Sequence, residues 1–444
     1  MRNIRRVAAA FACLALALTA CGNSNSGGGG GGGSTTSAAA GDVSLPDLAG
    51  QSCEVAAVWS GAEQASFAKV LTAFEAKTHA ITKFTSTGDD IATVLGTRVK
   101  GGQPPDVAIL PQPGLLKQFA AQGALTEASA DVAAAVDKNY SPIWKMLGTV
   151  DGKLYGVFFK AANKSTVWYR AKAFSDAGVQ EPKTWDEFTK AVQTIADSGT
   201  VPLSIGGGDG WTLTDWFENV YLRQAGADKY DQLTEHKIPW TDPSVKAALT
   251  TLGQLWGSKN LIVAKPLQTD FPTSVTQVFS ASPKGAVVYE GDFVAGVISS
   301  ETKAKVGTDA KFFSFPSIND SPPAVVGGGD VAVAMKGGTC AQALLRYLAS
   351  PEAAAIWAKL GGYTSANKNL NVSNYPDDTT RAIAQALVSA GDNFRFDMSD
   401  QTPAAFGGTP SKGEWKDLQD FLANPSNVNG TAAKLEADAA KAYK

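Results

Sequence analysis

The chain has 444 residues, with 39 lysines and arginines against 42 aspartates and glutamates, two histidines and four cysteines. No basic stripe is present to neutralise phosphates, which excludes a nucleic-acid partner. His79 and His236 stand alone, with no His-Glu-x-x-His and no Gly-x-Ser-x-Gly, so a metalloenzyme or serine hydrolase is excluded and no catalytic residue, metal or cofactor is expected.

Arg2, Arg5 and Arg6 precede an apolar run, Val7 to Ala17, that is too short to span a bilayer; residues 1–20 read as an export signal. The signal ends in Leu18-Thr19-Ala20-Cys21, which resembles the lipobox of bacterial lipoproteins. The resemblance implies lipidation of Cys21 and a chain anchored to the outer face of the cell membrane; the alternative is an ordinary secretory signal with an incidental cysteine. Residues 21–50, with glycine unbroken from Gly27 to Gly33, are too polar to fold and read as a tether. A flexible coil of about 28 residues has a reach of roughly 30 Å.

The remaining chain, roughly 400 residues, is too long for one core and suits two lobes. No second apolar run reaches membrane-spanning length. Cys53 and Cys340 are the thiols left in the exported body. They form a disulfide or remain two buried thiols, and sequence separation does not choose between these.

In chain order, Glu54 to Val58 reads as a strand, followed by a helix with Phe67, Val70, Leu71 and Phe74 on one face. Asp106 to Leu110 is a short strand stopped by Pro111 and Pro113, and Leu115 to Ala121 is the next helix. Tyr155 to Phe159 and Ser165 to Tyr169 are further strands. Thr184 with Glu187 forms a capping box before Trp185, Phe188, Val192 and Ile195, an apolar helical stripe. Ala286 to Glu290, Phe312 to Phe315 and Val331 to Met335 read as strands, Ala341 to Leu348 and Ala353 to Leu360 as helices. This alternation is that of an α/β protein.

Several stretches share one order: WSGAE from Trp59, PPDVAILPQPG from Pro104, TWDEF from Thr184, GWTLTDWFENVYLRQAGADKYDQL from Gly210, YEGDF from Tyr289, GGGDVAVAM from Gly327 and FRFDMSD from Phe394. Together the chain resembles the alpha-glucoside class of extracellular solute-binding proteins of bacterial ABC importers. The resemblance implies an α/β, two-lobed periplasmic-binding-protein-like fold with a ligand cleft between the lobes and a largely helical C-terminal part. Residues 51–157 and 327–362 are expected in lobe 1, residues 158–326 and 363–444 in lobe 2. It further implies a monomer that closes on a sugar and docks on membrane permease subunits, with a separate ATPase supplying the energy.

Sugar recognition needs flat aromatic faces for the CH side of a pyranose and carboxylates or amides for its hydroxyls. Trp59 with Glu63, Trp211 with Asp215, Tyr289 with Glu290 and Asp292, and Arg395 with Asp397 supply such groups, joined by Gln112 and by Asp330 after the glycine run. Plainer readings stand beside them. Trp59 could close the core, Asp215 could serve a helix N-terminus, and Arg395 could pair with Asp397 or Asp400. Gly327 to Gly329 lacks the Gly-Lys-Ser/Thr of a phosphate loop and is expected to be a hinge, a plain loop or a place of close approach to ligand.

The function so read is capture of an α-glucoside-like sugar without covalent chemistry. A glycoside hydrolase using paired carboxylates is the other class. A polyol, cyclitol or amino sugar is the alternative ligand.

Overall fold

The computed structural model describes residues 43–444, so the export signal, Cys21 and most of the tether lie outside the described residues. Packing starts earlier than position 51: Leu48 is buried, and its backbone N–H bonds to the Thr78 carbonyl at the end of the first helix.

That helix, Gly61–Thr78, buries Phe67, Val70, Leu71 and Phe74 on one face and stops at His79, whose φ of 59° caps it. Its face covers a sheet in which strand Ser52–Ala57, second from one edge, pairs in parallel with Ile81–Ser86 on one side and Val107–Leu110 on the other. The long strand Val325–Ala334 continues the sheet, antiparallel to Val107–Leu110 and to Gly156–Asn163 and parallel to Phe394–Phe396. Cys53 and Cys340, on helix Thr339–Leu348, are disulfide-bonded, with Cα atoms 6.1 Å apart. The bond ties strand Ser52–Ala57 to a covering helix.

The chain then leaves this sheet directly. Gly156–Asn163 runs through Lys164 and Ser165 into Thr166–Arg170, a strand of a second sheet with Ala310–Ser314, Val287–Tyr289 and Leu203–Ser204. Helix Trp185–Asp197 covers it, opened by the Thr184–Glu187 capping box, with Trp185, Phe188, Val192 and Ile195 buried. Helix Trp211–Ala225 is buried on nearly every side, which explains why it carries no single apolar stripe.

Each sheet has its own core. One joins Leu48 through Ala161 with Val331 through Leu387, and the other joins Val167 through Val326 with Phe406 through Ala439. Tyr363, Leu370, Tyr375, Ala384 and Leu387 pack into the first core, although residues 363–444 are expected in the second lobe. Tyr363, Leu370 and Tyr375 lie in loop and carry no periodic signal, while Ala384 and Leu387 share one face of helix Asp378–Ser389, whose period does not say which core it joins. The glycine run is likewise no loop but the middle of strand Val325–Ala334. A Cβ on Gly327 would stand 2.3 Å from the Phe394 ring, one on Gly328 2.8 Å from Lys164 Cε, and one on Gly329 2.8 Å from the Lys160 carbonyl. The close approach is therefore to the protein's own groups.

Candidate ligand-binding cleft

A cavity of about 380 Å³ is lined by residues from the segments that build each of the two sheets. From the first come Trp59 in the loop after Ser52–Ala57, Glu63 in the first turn of helix Gly61–Thr78, the turn at Asp89, and Gln112 before helix Pro113–Ala121. From the second come Asp209 and Trp211 at the start of helix Trp211–Ala225, Asp270 and Phe271 at the start of helix Phe271–Phe279, and Phe293. Lys160, Lys164, Asp330 and Asp400 form the floor between them, and Trp415 closes one wall.

Trp211, Phe271 and Phe293 each keep part of their ring accessible and lie 5.2–5.9 Å from one another, centre to centre. They make an aromatic wall that can stack on a flat apolar ligand face. Trp59 also lines the cavity but is only 2% exposed, edge-packed on Phe67 and Trp357 with centroids 4.9 Å away. It serves wall and core together.

Two buried lysines organise the floor. Lys160 Nζ lies 2.5 Å from Glu63 and 3.9 Å from Asp330, over the rings of Trp59, Phe293 and Trp357 at 5.4–5.9 Å. Lys164 Nζ lies 2.5 Å from Asp397, 3.2 Å from Asp215 and 3.6 Å from Asp400, and 5.8 Å from the Trp211 ring centre. Burial raises the Asp215 carboxyl and Lys164 recovers only part of this. Burial acts on Asp397 too, but there the lysine and a hydrogen bond from the Asp400 amide outweigh it and hold Asp397 below the usual range. Burial lifts Asp330 to about 6 against the pull of Lys160.

Of the residues singled out in the sequence, Trp59, Glu63, Gln112, Trp211 and Asp330 line the cavity. Six do not. Asp215 stands behind Trp211 as an ion-pair partner of Lys164, and Asp397 does the same while also capping helix Met398–Gln401 through the Asp400 amide. Tyr289 is 1% exposed, its ring edge-on to Trp216 and its hydroxyl donating to the Lys164 carbonyl at 2.7 Å. Glu290 is buried, and burial with the neighbouring Asp215 raises its carboxyl well above the usual range. Asp292 accepts from the Thr364 hydroxyl and from the Asn163 amide at the crossing between sheets. Arg395 pairs with Asp231 at 2.8 Å, with neither Asp397 nor Asp400, and faces away from the cavity lining.

A family model of bacterial extracellular solute-binding proteins matches residues 59–355. The chain belongs to the bacterial extracellular solute-binding protein family. This solute-binding protein is 32% identical over 410 residues to the alpha-glucosides-binding periplasmic protein AglE of Rhizobium meliloti, covering 88% of each chain. It is 33% identical over 345 residues to the osmoprotective compounds-binding protein GgtB of Synechocystis sp., covering 75% of this chain and 80% of that one. Among solved structures, the bacterial solute receptor AcbH superposes with a TM-score of 0.78 at 21% identity, over 89% of this chain and 100% of the other, a likeness of fold. The solute-binding protein thus has the α/β two-lobed architecture, with its cleft where the two cores meet.

The residues that sequence reasoning missed had uneven signals. Lys160 interrupts a fully buried strand, GVFFKAAN, that is apolar apart from it and the terminal Asn163, and a lysine there demands a counter-charge nearby. Phe293 sits one residue past Asp292 in YEGDF. Asp89, Asp209, Phe271 and Trp415 had no such mark, because their roles come from loops and helix starts brought together only by the fold.

Proposed function

We propose that this protein is the receptor of a sugar-importing ABC transporter, capturing an α-glucoside-like sugar or short oligosaccharide and passing it to the membrane permease. It does so as a monomer, by non-covalent binding, held to the outer face of the cell membrane by a lipid on Cys21. The observation that carries this reading is the cavity wall, where the partly exposed rings of Trp211, Phe271 and Phe293 stand beside the carboxylates of Asp89, Asp209 and Asp270. Stacking faces next to hydroxyl acceptors are what a pyranose requires, and the volume suits a ligand of about two rings. The likeness to AglE, an alpha-glucosides-binding protein over nearly its whole length, supports the ligand class.

Two lobes, each built around one of the two sheets, close over the ligand about the crossings near Lys164 and the segment between the sheets. Calorimetric titration with maltose, trehalose and sucrose tests the reading: at least one binds saturably, one per chain, and none is cleaved to glucose on prolonged incubation. Released glucose would make the protein a hydrolase. Binding confined to polyols, cyclitols or amino sugars would move the ligand and keep the receptor.

A further inference from the structure

Six carboxylates line the cavity (Glu63, Asp89, Asp209, Asp270, Asp330 and Asp400) against two ammonium groups. Both ammoniums are committed already. Lys160 is held by Glu63 and Asp330, and Lys164 by Asp397, Asp215 and Asp400. An entering anion would have to displace one of these carboxylates from a buried partner. Asp89, Asp209 and Asp270 have no cationic partner among the described residues. Asp209 accepts one hydrogen bond, from the Phe271 amide at 2.7 Å, and Asp270 caps its helix through the Thr273 amide at 2.8 Å. These three carboxyls come from separate loops on both sides of the cleft, so their negative fields add inside the cavity.

Resting on the sugar-receptor reading, we propose that the cleft selects by charge: it takes neutral sugars, holds sugars bearing a protonated amine more tightly, and rejects those bearing phosphate or carboxylate. Asp89 and Asp209 are the residues that set this selectivity. A neutral ligand satisfies them with hydroxyl donors, whereas an ammonium makes charge-assisted bonds to the same oxygens. The electron-rich faces of Trp211, Phe271 and Phe293 favour a cation in the same space. Burial, and then repulsion from Asp209, Asp90 and Glu63, raise Asp89 to about 6, below neutral pH.

The test is calorimetric titration of the exported protein, at pH 7.5 and low salt, with trehalose and maltose, each beside its amino-deoxy and its phosphate derivative. The expected order is amine, then neutral, then phosphate, with a gap of about tenfold or more between amine and phosphate. That gap narrows at higher salt, and narrows again in Asp89→Asn and Asp209→Asn. If a neutral sugar binds while the phosphate binds as well as the amine, the inference is wrong and the receptor reading stands. The same holds if the gap is untouched in both variants at unchanged melting temperature. If no neutral sugar and no derivative binds, the sugar reading falls and the inference falls with it.

Discussion

Lys164 Nζ lies 2.5 Å from Asp397 Oδ2, joining the point where the chain crosses between the two sheets to the segment that returns beside strand Val325–Ala334. Both are buried, so Lys164 is the main source of charge stabilisation for Asp397, while Lys164 draws on Asp215 and Asp397 together. Lys164→Met should therefore leave an unpaired buried carboxylate and lower stability by about 3–5 kcal/mol, read from urea unfolding. Lys164→Arg should keep most of that loss from occurring. A Met variant as stable as the parent would show that the carboxyl cluster holds itself together by sharing protons.

Trp211→Ala should weaken sugar binding by about tenfold or more with little change in apo stability, because the ring is partly exposed in the cavity wall. Trp59→Ala should lose binding and also about 3–5 kcal/mol of stability, since the indole is packed on Phe67 and Trp357. Glu290→Gln, buried off the cavity, should leave affinity nearly unchanged. Calorimetry beside thermal unfolding separates the three outcomes, and a large affinity loss in the Glu290 variant alone would place the ligand deeper than the observed cavity.

Stability should fall as pH rises from 5 to 8. Asp292 and Asp330 stand near 6 in the folded protein because of burial, above their value of 3.8 in the unfolded chain. Between those values the folded state binds more protons, so each step up in pH favours unfolding. Carboxyls held low, such as Asp397, act oppositely but only as pH falls below about 4. Urea midpoints should thus be higher at pH 5 than at pH 8, and less so in Asp330→Asn. Equal midpoints would mean that these carboxyls stay ionised through that range.

The Cys53–Cys340 bond closes a loop with a separation of 287 residues. Cys53→Ser with Cys340→Ser should cost about 2–5 kcal/mol, mostly through the freed unfolded chain. Mass spectrometry of unreduced, alkylated protein should find no free thiol at either position.

Cys21→Ala should move the protein from the membrane fraction to the soluble fraction or to an unprocessed precursor. No helix among the described residues is long and apolar enough to cross a membrane. Membrane association of the variant that survives high salt would point to another anchor.

The α/β alternation and the family were legible in the sequence because each rests on local information: apolar periods of 3.6 or 2, and ordered short motifs. So were Trp59, Glu63, Gln112 and Trp211, which sit at or just outside helix starts, and Asp330, a carboxylate inside an otherwise apolar strand. The tertiary structure decided which polar groups face the ligand and which face one another. Asp215 and Asp397 look like Asp89, Asp209 and Asp270 in sequence, but buried Lys164, at the crossing between the two sheets, draws them inward as counter-charges. A carboxylate's role depends on the nearest cation in space, and here that cation, Lys164, lies 51 residues from Asp215 and 233 from Asp397 along the chain.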